Sequence, residues 1–232
     1  MARILVIDDE SDIRMATIMA LQTGGHTIVE ADSGIAAMKL LKDQLRSNTV
    51  VDLIVCDVMM PGMTGHDVCQ LVRLDPALSE IPFIFLSAKR DADERLEGIE
   101  AGADDYVGKP FSLQELHLRV NAALAKHKQL VATGQRISAD PLVQLSLAQC
   151  IDLIVRHNLS GKLSVLLKGT VQGTIFFEGG HAVHAKLEDK IGEAAVREIL
   201  ASQLLMYSFE AYEVTDQMTM AMDISRAIKR PN

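Results

Sequence analysis

Five side chains in this 232-residue chain stand out by type and place: Asp8 and Asp9, Asp57, Ser87 and Lys109. Each stands at the end of a short strand-like stretch, with ILVI before the acidic pair, LIVC before Asp57, IPFIFL before Ser87 and DYVG before Lys109. A carboxylate in such a position can be a nucleophile, a metal ligand or a loop cap. Together the five suit phosphoryl transfer, which asks a protein for charge screening and positioning more than for covalent chemistry. Lys109 and a metal ion would screen the oxygens of the transferring group, Ser87 would donate a hydrogen bond, and Asp57 would attack phosphorus to form an acyl phosphate. Three carboxylates in one small pocket repel one another. A hard divalent cation is therefore expected among them, and magnesium (Mg2+) accepts a few carboxylates together with water and phosphate oxygens.

That chemistry requires distant segments to converge, so the elements decide it. The stretch VVDLIVCDVMMPGMTG, residues 50–65, is a continuous apolar run that Asp57 closes against Pro61 and Gly62, which reads as a buried strand of a parallel sheet. ARILVID, HTIVEA, IPFIFLSA and the short DDYVG read as four more strands. Helical patterns lie between them: one opened by Ser11 and ended at Gly24-Gly25, one capped by Ser33, one from about His66 to Leu74, and one opened by Asp91 or Asp93. Ser112 with Glu115 predicts a capping box for a fifth helix through Leu116, Leu118, Val120 and Leu124. Five strands alternating with five helices require an α/β fold, a doubly wound parallel sheet with its site at the carboxyl ends of the strands. Asp8, Asp9, Asp57, Ser87 and Lys109 all fall there. Any one of these residues taken singly is as readily a strand-end cap, but the cap reading does not account for five at these spacings.

On these residues, and on MMPGMTG after Asp57, Ser87-Ala88 after an apolar strand, and ADDYVGKPF, residues 1 to about 125 resemble the receiver domains of two-component response regulators, with their five-stranded flavodoxin-like sheet. The resemblance implies that Asp57 is the phosphoacceptor. It implies that Asp8 or Asp9, with Asp57 and the backbone carbonyl of Met59, hold Mg2+, and that Lys109 pairs with the phosphoryl group. Ser87 and Tyr106 would be the switch pair, the hydroxyl moving toward the phosphate as the ring turns inward. A narrower likeness covers Arg95 to Val120, which looks like receivers that dimerise on phosphorylation through the fourth helix, fifth strand and fifth helix. Arg95 with Glu115 and Asp105 with Arg119 fit the ion pairs that cross that interface, while the partner position for Asp104 holds Ala125.

Residues 1–125 carry 11 Lys and Arg against 20 Asp and Glu, a net of −9, and residues 126–232 carry 12 against 11, a net of +1. Neither half is a basic nucleic-acid surface. No window approaches 18 apolar residues and Asp8 interrupts the first run, so no membrane insertion is expected and the chain reads as cytoplasmic. Cys56, Cys69 and Cys150 lie among apolar neighbours without a CxxC pair, as buried free thiols do.

KHKQLVATGQRISAD, residues 126–140, reads as a linker that starts as a helix tail and loosens at Thr133-Gly134. Residues 141–232 then read as a smaller α+β domain: a helix carrying Leu147, Cys150, Ile151, Ile154 and Val155, an antiparallel meander of KLSVLLK, VQGTIFFE and HAVHAKL, a helix from Gly192 to about Leu204, a strand in MYSFEAY and a closing helix in DISRAIKR. Phe176, Phe177, Phe209 and Tyr212 offer either a stacking platform for bases or ordinary strand packing, and Met218, Met220 and Met222 either an adaptable binding face or a core seam. No Gly-rich phosphate loop, nucleophile triad or metal-spaced ligand set is present. The pattern of amphipathic helix, SGKLSV, GTIFFEGGHAVHAKL, GEAAVREIL and YSFE resembles the PATAN module, named for the PatA N-terminal region. That resemblance implies a protein-interaction output without catalytic residues.

The reading is a binding switch, not a turnover enzyme. A sensor histidine kinase or phosphotransfer protein would phosphorylate Asp57, and the switch would control a protein partner of the second domain or a phosphorylation-dependent homodimer; nucleic acid is not expected. The alternatives are a phosphorylation-controlled nucleic-acid-binding transcriptional regulator and an enzyme gated by the first domain.

Overall fold

The structure is a computed structural model, and it describes residues 1–88, 101–132, 145–168, 171–202 and 204–211 together with residues 220, 222 and 224. The chain divides into two compact units, the first formed essentially by residues before 144 and the second by those after.

In the first unit, β1 (Arg3–Ile7), β2 (Thr27–Ala31), β3 (Leu53–Asp57), β4 (Phe83–Ser87) and β5 (Asp105–Gly108) form one parallel sheet in the order β2-β1-β3-β4-β5. This is the flavodoxin-like arrangement, whose strand order reverses between β1 and β3. The helices are α1 (Ser11–Thr23), α2 (Gly34–Arg46), α3 (Gly65–Leu74) and α4 (Leu113–Ala132). Alternation along the strands sets the core. Ile4 and Val6, Leu53 and Val55, Ile84 and Leu86, and Val107 form one apolar cluster with Ala20 and Leu21 of α1 and Leu116, Val120 and Leu124 of α4. The intervening residues Leu5, Ile7, Ile54, Cys56, Phe83 and Phe85 are buried too, so both faces are covered, as a parallel sheet requires.

Arg73, at the end of α3, ties the approaches to two strands together. Its guanidinium donates to the carbonyls of Gly102 (2.8 Å), Ser79 (2.9 Å) and Ile81 (2.8 Å) and to Asp104 Oδ2 (2.9 Å). The same Asp104 oxygen accepts the Phe83 N–H (2.9 Å). Asp104 is thereby used inside the chain, in keeping with the absence of a basic residue at position 125.

The Ser33 cap is formed, its side chain accepting from Ala36 N–H. The Ser11 cap is not: α1 starts at Ser11 itself, and Asp8 Oδ1 instead accepts the Glu10 N–H at 2.9 Å. A carboxylate two residues upstream reaches this amide more directly than a hydroxyl inside the helix. The Ser112 oxygen accepts the Glu115 N–H (3.1 Å) as expected, and α4 runs to Ala132. The helix predicted from Asp91 or Asp93, most of the linker, Tyr212, Met218 and the DISRAIKR helix lie outside the described residues, apart from Ile224.

The second unit holds one antiparallel sheet in the order β10-β6-β7-β8-β9, formed by β6 (Gly161–Leu167), β7 (Gln172–Glu178), β8 (His181–Leu187), β9 (Lys190–Ile191) and β10 (Leu204–Ala211). The predicted meander is β6-β7-β8. The two-residue turn Gly179-Gly180 has φ of 53° and 78°, the left-handed pair that matches the twist of a hairpin. It is pinned from outside, with Gly179 N–H donating to Ser160 Oγ (3.0 Å) and Gly180 N–H to the Leu159 carbonyl (2.9 Å).

Two helices complete the unit: α5 (Leu147–Arg156), held by a reciprocal Ser146–Gln149 capping box, and α6 (Glu193–Ala201). In α5 it is Leu153, not Val155, that joins the buried stripe. The helix predicted to run to about Leu204 ends at Ala201, and Leu204 already belongs to β10, because pairing with β6 takes the Leu-Leu-Met run that by composition alone suits a helix. β9 was not predicted. Phe177 and Phe209 meet edge to face in the core at 6.5 Å, while Phe176 lies on the other face beside His184 at 6.0 Å, so the aromatic set is divided between the two faces.

Candidate functional site

The alternation that builds the apolar cluster of the first unit also aims its charges. Asp8 continues the series Ile4, Val6; Asp57 continues Leu53, Val55; Lys109 continues Val107. One face of the sheet thus ends in three charged residues at its carboxyl edge, next to the reversal of strand order. The three meet. Lys109 Nζ donates to Asp8 Oδ2 at 2.8 Å and to Asp57 Oδ1 in a still shorter contact. Their side chains are 0% exposed for Asp8, 7% for Asp57 and 11% for Lys109, so little water screens the interaction.

Burial is the largest influence on Asp57 and raises its pKa; the Lys109 hydrogen bond and charge work against it, the Asp8 charge adds to it, and a Met59 N–H bond opposes it, with a net rise above the ordinary carboxylate value. For Lys109 the largest influence is again burial, which lowers the pKa. The hydrogen bonds and charges of Asp57 and Asp8 together outweigh it and leave the ammonium above its ordinary value. A permanently charged lysine between two buried acids, one reluctant to ionise, is a site short of positive charge. Cys56 is fully buried beside it, its thiol pushed well up by burial and then by the Asp57 charge, which makes it inert.

The expected trio of carboxylates is a pair. Asp9 is exposed, two residues past the end of β1, and among the described residues no three of the His, Cys, Asp and Glu side chains gather to hold a metal ion. Ser87 is fully buried at the last position of β4, and its carbonyl accepts the Lys109 N–H at 2.6 Å, which joins the hydroxyl-bearing residue to the lysine through the main chain. Tyr106 is half-buried in β5, opposite Phe85 in the register. Met59, on the loop after β3, is exposed. Asp105 and Arg119 pair within the chain, Arg119 Nη1 lying 3.1 Å from both carboxylate oxygens, and Asp105 Oδ1 also accepts the Tyr106 N–H at 2.8 Å. Glu115 is exposed in the first turn of α4. Arg95 lies outside the described residues.

Sequence reasoning missed Arg14. Its Nη1 donates to the Asp8 carbonyl (2.7 Å) and its Nε to Glu30 Oε2 on β2 (2.9 Å), fastening the chain that carries the first acid. Nothing local signals this, because Glu30 comes from another strand.

The three cysteines are free and buried, and no helix among the described residues is long and apolar enough to cross a membrane. Comparison with known proteins agrees with the geometry. The family profile of the response regulator receiver domain matches residues 4–121. The transcriptional regulatory protein YrkP of Bacillus subtilis is 39% identical over 125 residues, covering 54% of this chain and 50% of its own. The phosphate regulon transcriptional regulatory protein PhoB of Pseudomonas aeruginosa is 37% identical over 123 residues, covering 53% and 52%. A crystal structure of a response regulator receiver domain protein from Clostridium thermocellum superposes with a TM-score of 0.50 at 27% identity, covering 56% of this chain and 99% of that one. The chain spans about half the length of the curated relatives it matches.

Proposed function

We propose, from the premise that this chain belongs to the response regulator receiver family over residues 4–121, that Asp57 accepts a phosphoryl group from a sensor histidine kinase or phosphotransfer protein and that the resulting switch governs a protein interaction of the second unit. The observation that carries the reading is the single ammonium of Lys109 joined to two buried carboxylates at the carboxyl edge of the sheet. An Asp57 oxygen attacks phosphorus, the new O–P bond forms as the P–N bond to the donor imidazole breaks, and the nitrogen keeps the bonding pair. Lys109 accompanies the charge of the incoming oxygens, and Ser87 would offer its hydroxyl.

Two buried acids share one ammonium, a donor set whose charge suits Mg2+: Asp8 or Asp9, Asp57 and the Met59 carbonyl would hold it. When bound, the ion supplies charge neutralisation at the phosphoryl oxygens. Ser87 and Tyr106 form the switch pair. Dimerisation through Arg95 with Glu115 and Asp105 with Arg119 would first have to open the Asp105–Arg119 pair that the chain closes internally. The protein is in this reading a cytoplasmic binding switch and not a turnover enzyme, its second unit a PATAN-like interaction module.

A second reading is favoured by one observation: relatives such as YrkP and PhoB are named transcriptional regulators, which would make nucleic acid the target. Their likeness covers only the first half of this chain, and the net charge of +1 over residues 126–232 gives the second half little attraction for phosphates.

Acetyl phosphate with Mg2+ should label the purified chain, and Asp57→Asn should remove the label. Pull-downs with and without beryllofluoride then separate the outputs. A protein recovered in one state only supports the interaction reading; salt-sensitive DNA retention in a gel shift supports the other.

A further inference from the structure

We propose that Gly65 is a positioning residue for Asp57: lacking a side chain, it lets the first turn of α3 rest on the main chain that carries the acceptor carboxylate, and any larger residue displaces that carboxylate from Lys109. The proposal rests on the reading of Asp57 as the phosphoacceptor.

A Cβ placed on Gly65 would lie 2.2 Å from the Asp57 carbonyl oxygen and 3.0 Å from both the Asp57 carbonyl carbon and Val58 Cα. These are backbone atoms, which cannot rotate away as a side-chain end can. Gly65 is not among the residues with positive φ, so the requirement is for space and not for conformation. Nearby Gly62 is the opposite case, with φ of 75° and nothing within 4 Å of an added Cβ.

Neither partner in the contact is free to retreat. β3 is gripped on both sides, by β1 and β4, and the Val58 N–H donates to the Leu86 carbonyl at 3.0 Å. The start of α3 is gripped as well. Gly65 N–H donates to the Val58 carbonyl at 2.9 Å. Asp67 Oδ2 accepts from Thr64 N–H (3.0 Å) and Thr64 Oγ1 (2.9 Å), while Thr64 Oγ1 accepts the Asp67 N–H (3.2 Å), a reciprocal lock on the first turn. With the start of α3 held in this way, a methyl group on Gly65 bears directly on the peptide of Asp57.

Gly34 supplies the control. A Cβ there meets the side chains of Met63 (2.7 Å) and Val68 (2.8 Å), on the loop before α3 and in α3, where a side chain can give way, and not the main chain of Asp57. The experiment compares Gly65→Ala and Gly34→Ala in the full chain by three readouts: unfolding midpoint, single-turnover labelling by acetyl phosphate, and the Asp57 carboxyl carbon resonance before any donor is added. Labelling forms the Asp57 O–P bond as the P–O bond to acetate breaks and acetate leaves with the electron pair. Both variants should lose stability. Only Gly65→Ala should slow labelling, by about tenfold or more, as misplacement of a reacting group by a fraction of an ångström does, and only it should move the carbon resonance.

Labelling of Gly65→Ala at the wild-type rate overturns the proposal and leaves the Asp57 reading intact. A wild-type chain that takes no label removes the Asp57 reading, and the carbon resonance alone then decides whether Gly65 sets that carboxylate. Should Gly65→Ala not fold, hydrogen exchange in the wild-type chain decides: a Gly65 amide as protected as those of β3 supports the tight contact, and exchange at loop rates overturns it.

Discussion

The two five-stranded sheets of this chain use burial in opposite ways. The parallel sheet covers both faces with apolar side chains and then lets three of its alternating series end in Asp8, Asp57 and Lys109, which are buried or nearly so. The second unit keeps its ion pairs nearer the surface: Lys162–Glu210 between β6 and β10 at 2.9 Å is partly exposed, and Lys190–Glu198 between β9 and α6 and Arg197–Glu193 within α6 at 3.6 Å are more so. Among the described residues, only His184 of the buried polar side chains comes from beyond residue 144. Charges in water are screened and worth little; charges enclosed in protein interact strongly and are poised to respond to a new one. In the proposed reading the first sheet senses a phosphoryl group and the second presents a surface to a partner.

The strongest challenge to that division is Phe177→Ala. Phe177 is buried against Phe209, and its truncation should cost the second unit about 4 kcal/mol. Urea unfolding followed by hydrogen exchange on β6 to β8 should show the loss, with acetyl phosphate labelling at Asp57 unchanged. A parallel loss of labelling would mean that the two units do not divide stability and chemistry as argued. Next in size is Lys109→Ala, which leaves two buried carboxylates without their cation. Labelling should slow by about 100-fold, the loss typical of a removed charge-stabilising donor, and exchange protection in β6 to β8 should stay as it was. Retention of labelling would show that the ammonium is structural only.

The same contrast explains what could be read in advance. In the first unit, hydrophobic runs ending in acids carried both the strands and the site, because a period of two fixes which residues share a face and strand ends fix where they meet. What escaped reading depends on contacts with no local signature. Arg73 reaches residues 6 to 31 positions away, Arg14 finds Glu30 on another strand, and Gly65 matters for a space that exists only once α3 has packed on β3. The exposure of Asp9 beside a buried Asp8 escaped too, because an adjacent acidic pair reads as two acids in one pocket. In the second unit the Gly179-Gly180 hairpin was legible from its turn chemistry. The end of α6 and the start of β10 were not, since Leu204, Leu205 and Met206 suit a helix by propensity and become strand by pairing with Leu166 and Leu167.

The smallest expected effect tests whether proton-linked stability too is confined to the first unit. His26 precedes β2, and its Nδ1 is enclosed without a hydrogen-bond partner. Burial is the main cause that lowers its pKa from 6.5, followed by the positive N-terminal amine and His117. His117 in turn has its Nε2 2.6 Å from the Ala20 carbonyl at the end of α1. A histidine whose pKa is depressed by folding binds its proton more readily in the unfolded chain. As pH falls through about 6.5 the unfolded state therefore gains protons that the folded state does not, and stability declines until the depressed folded value is passed. His26→Gln keeps a polar side chain and removes the titration, so the fall in melting temperature between about pH 7 and pH 5 should become shallower, while the exchange protection of β6 to β8 follows its own course in both proteins. An unchanged slope would assign the acid sensitivity to other groups. A steeper one would mean that His26 is stabilised by its proton, the reverse of what its enclosed nitrogen and the nearby N-terminal amine dictate.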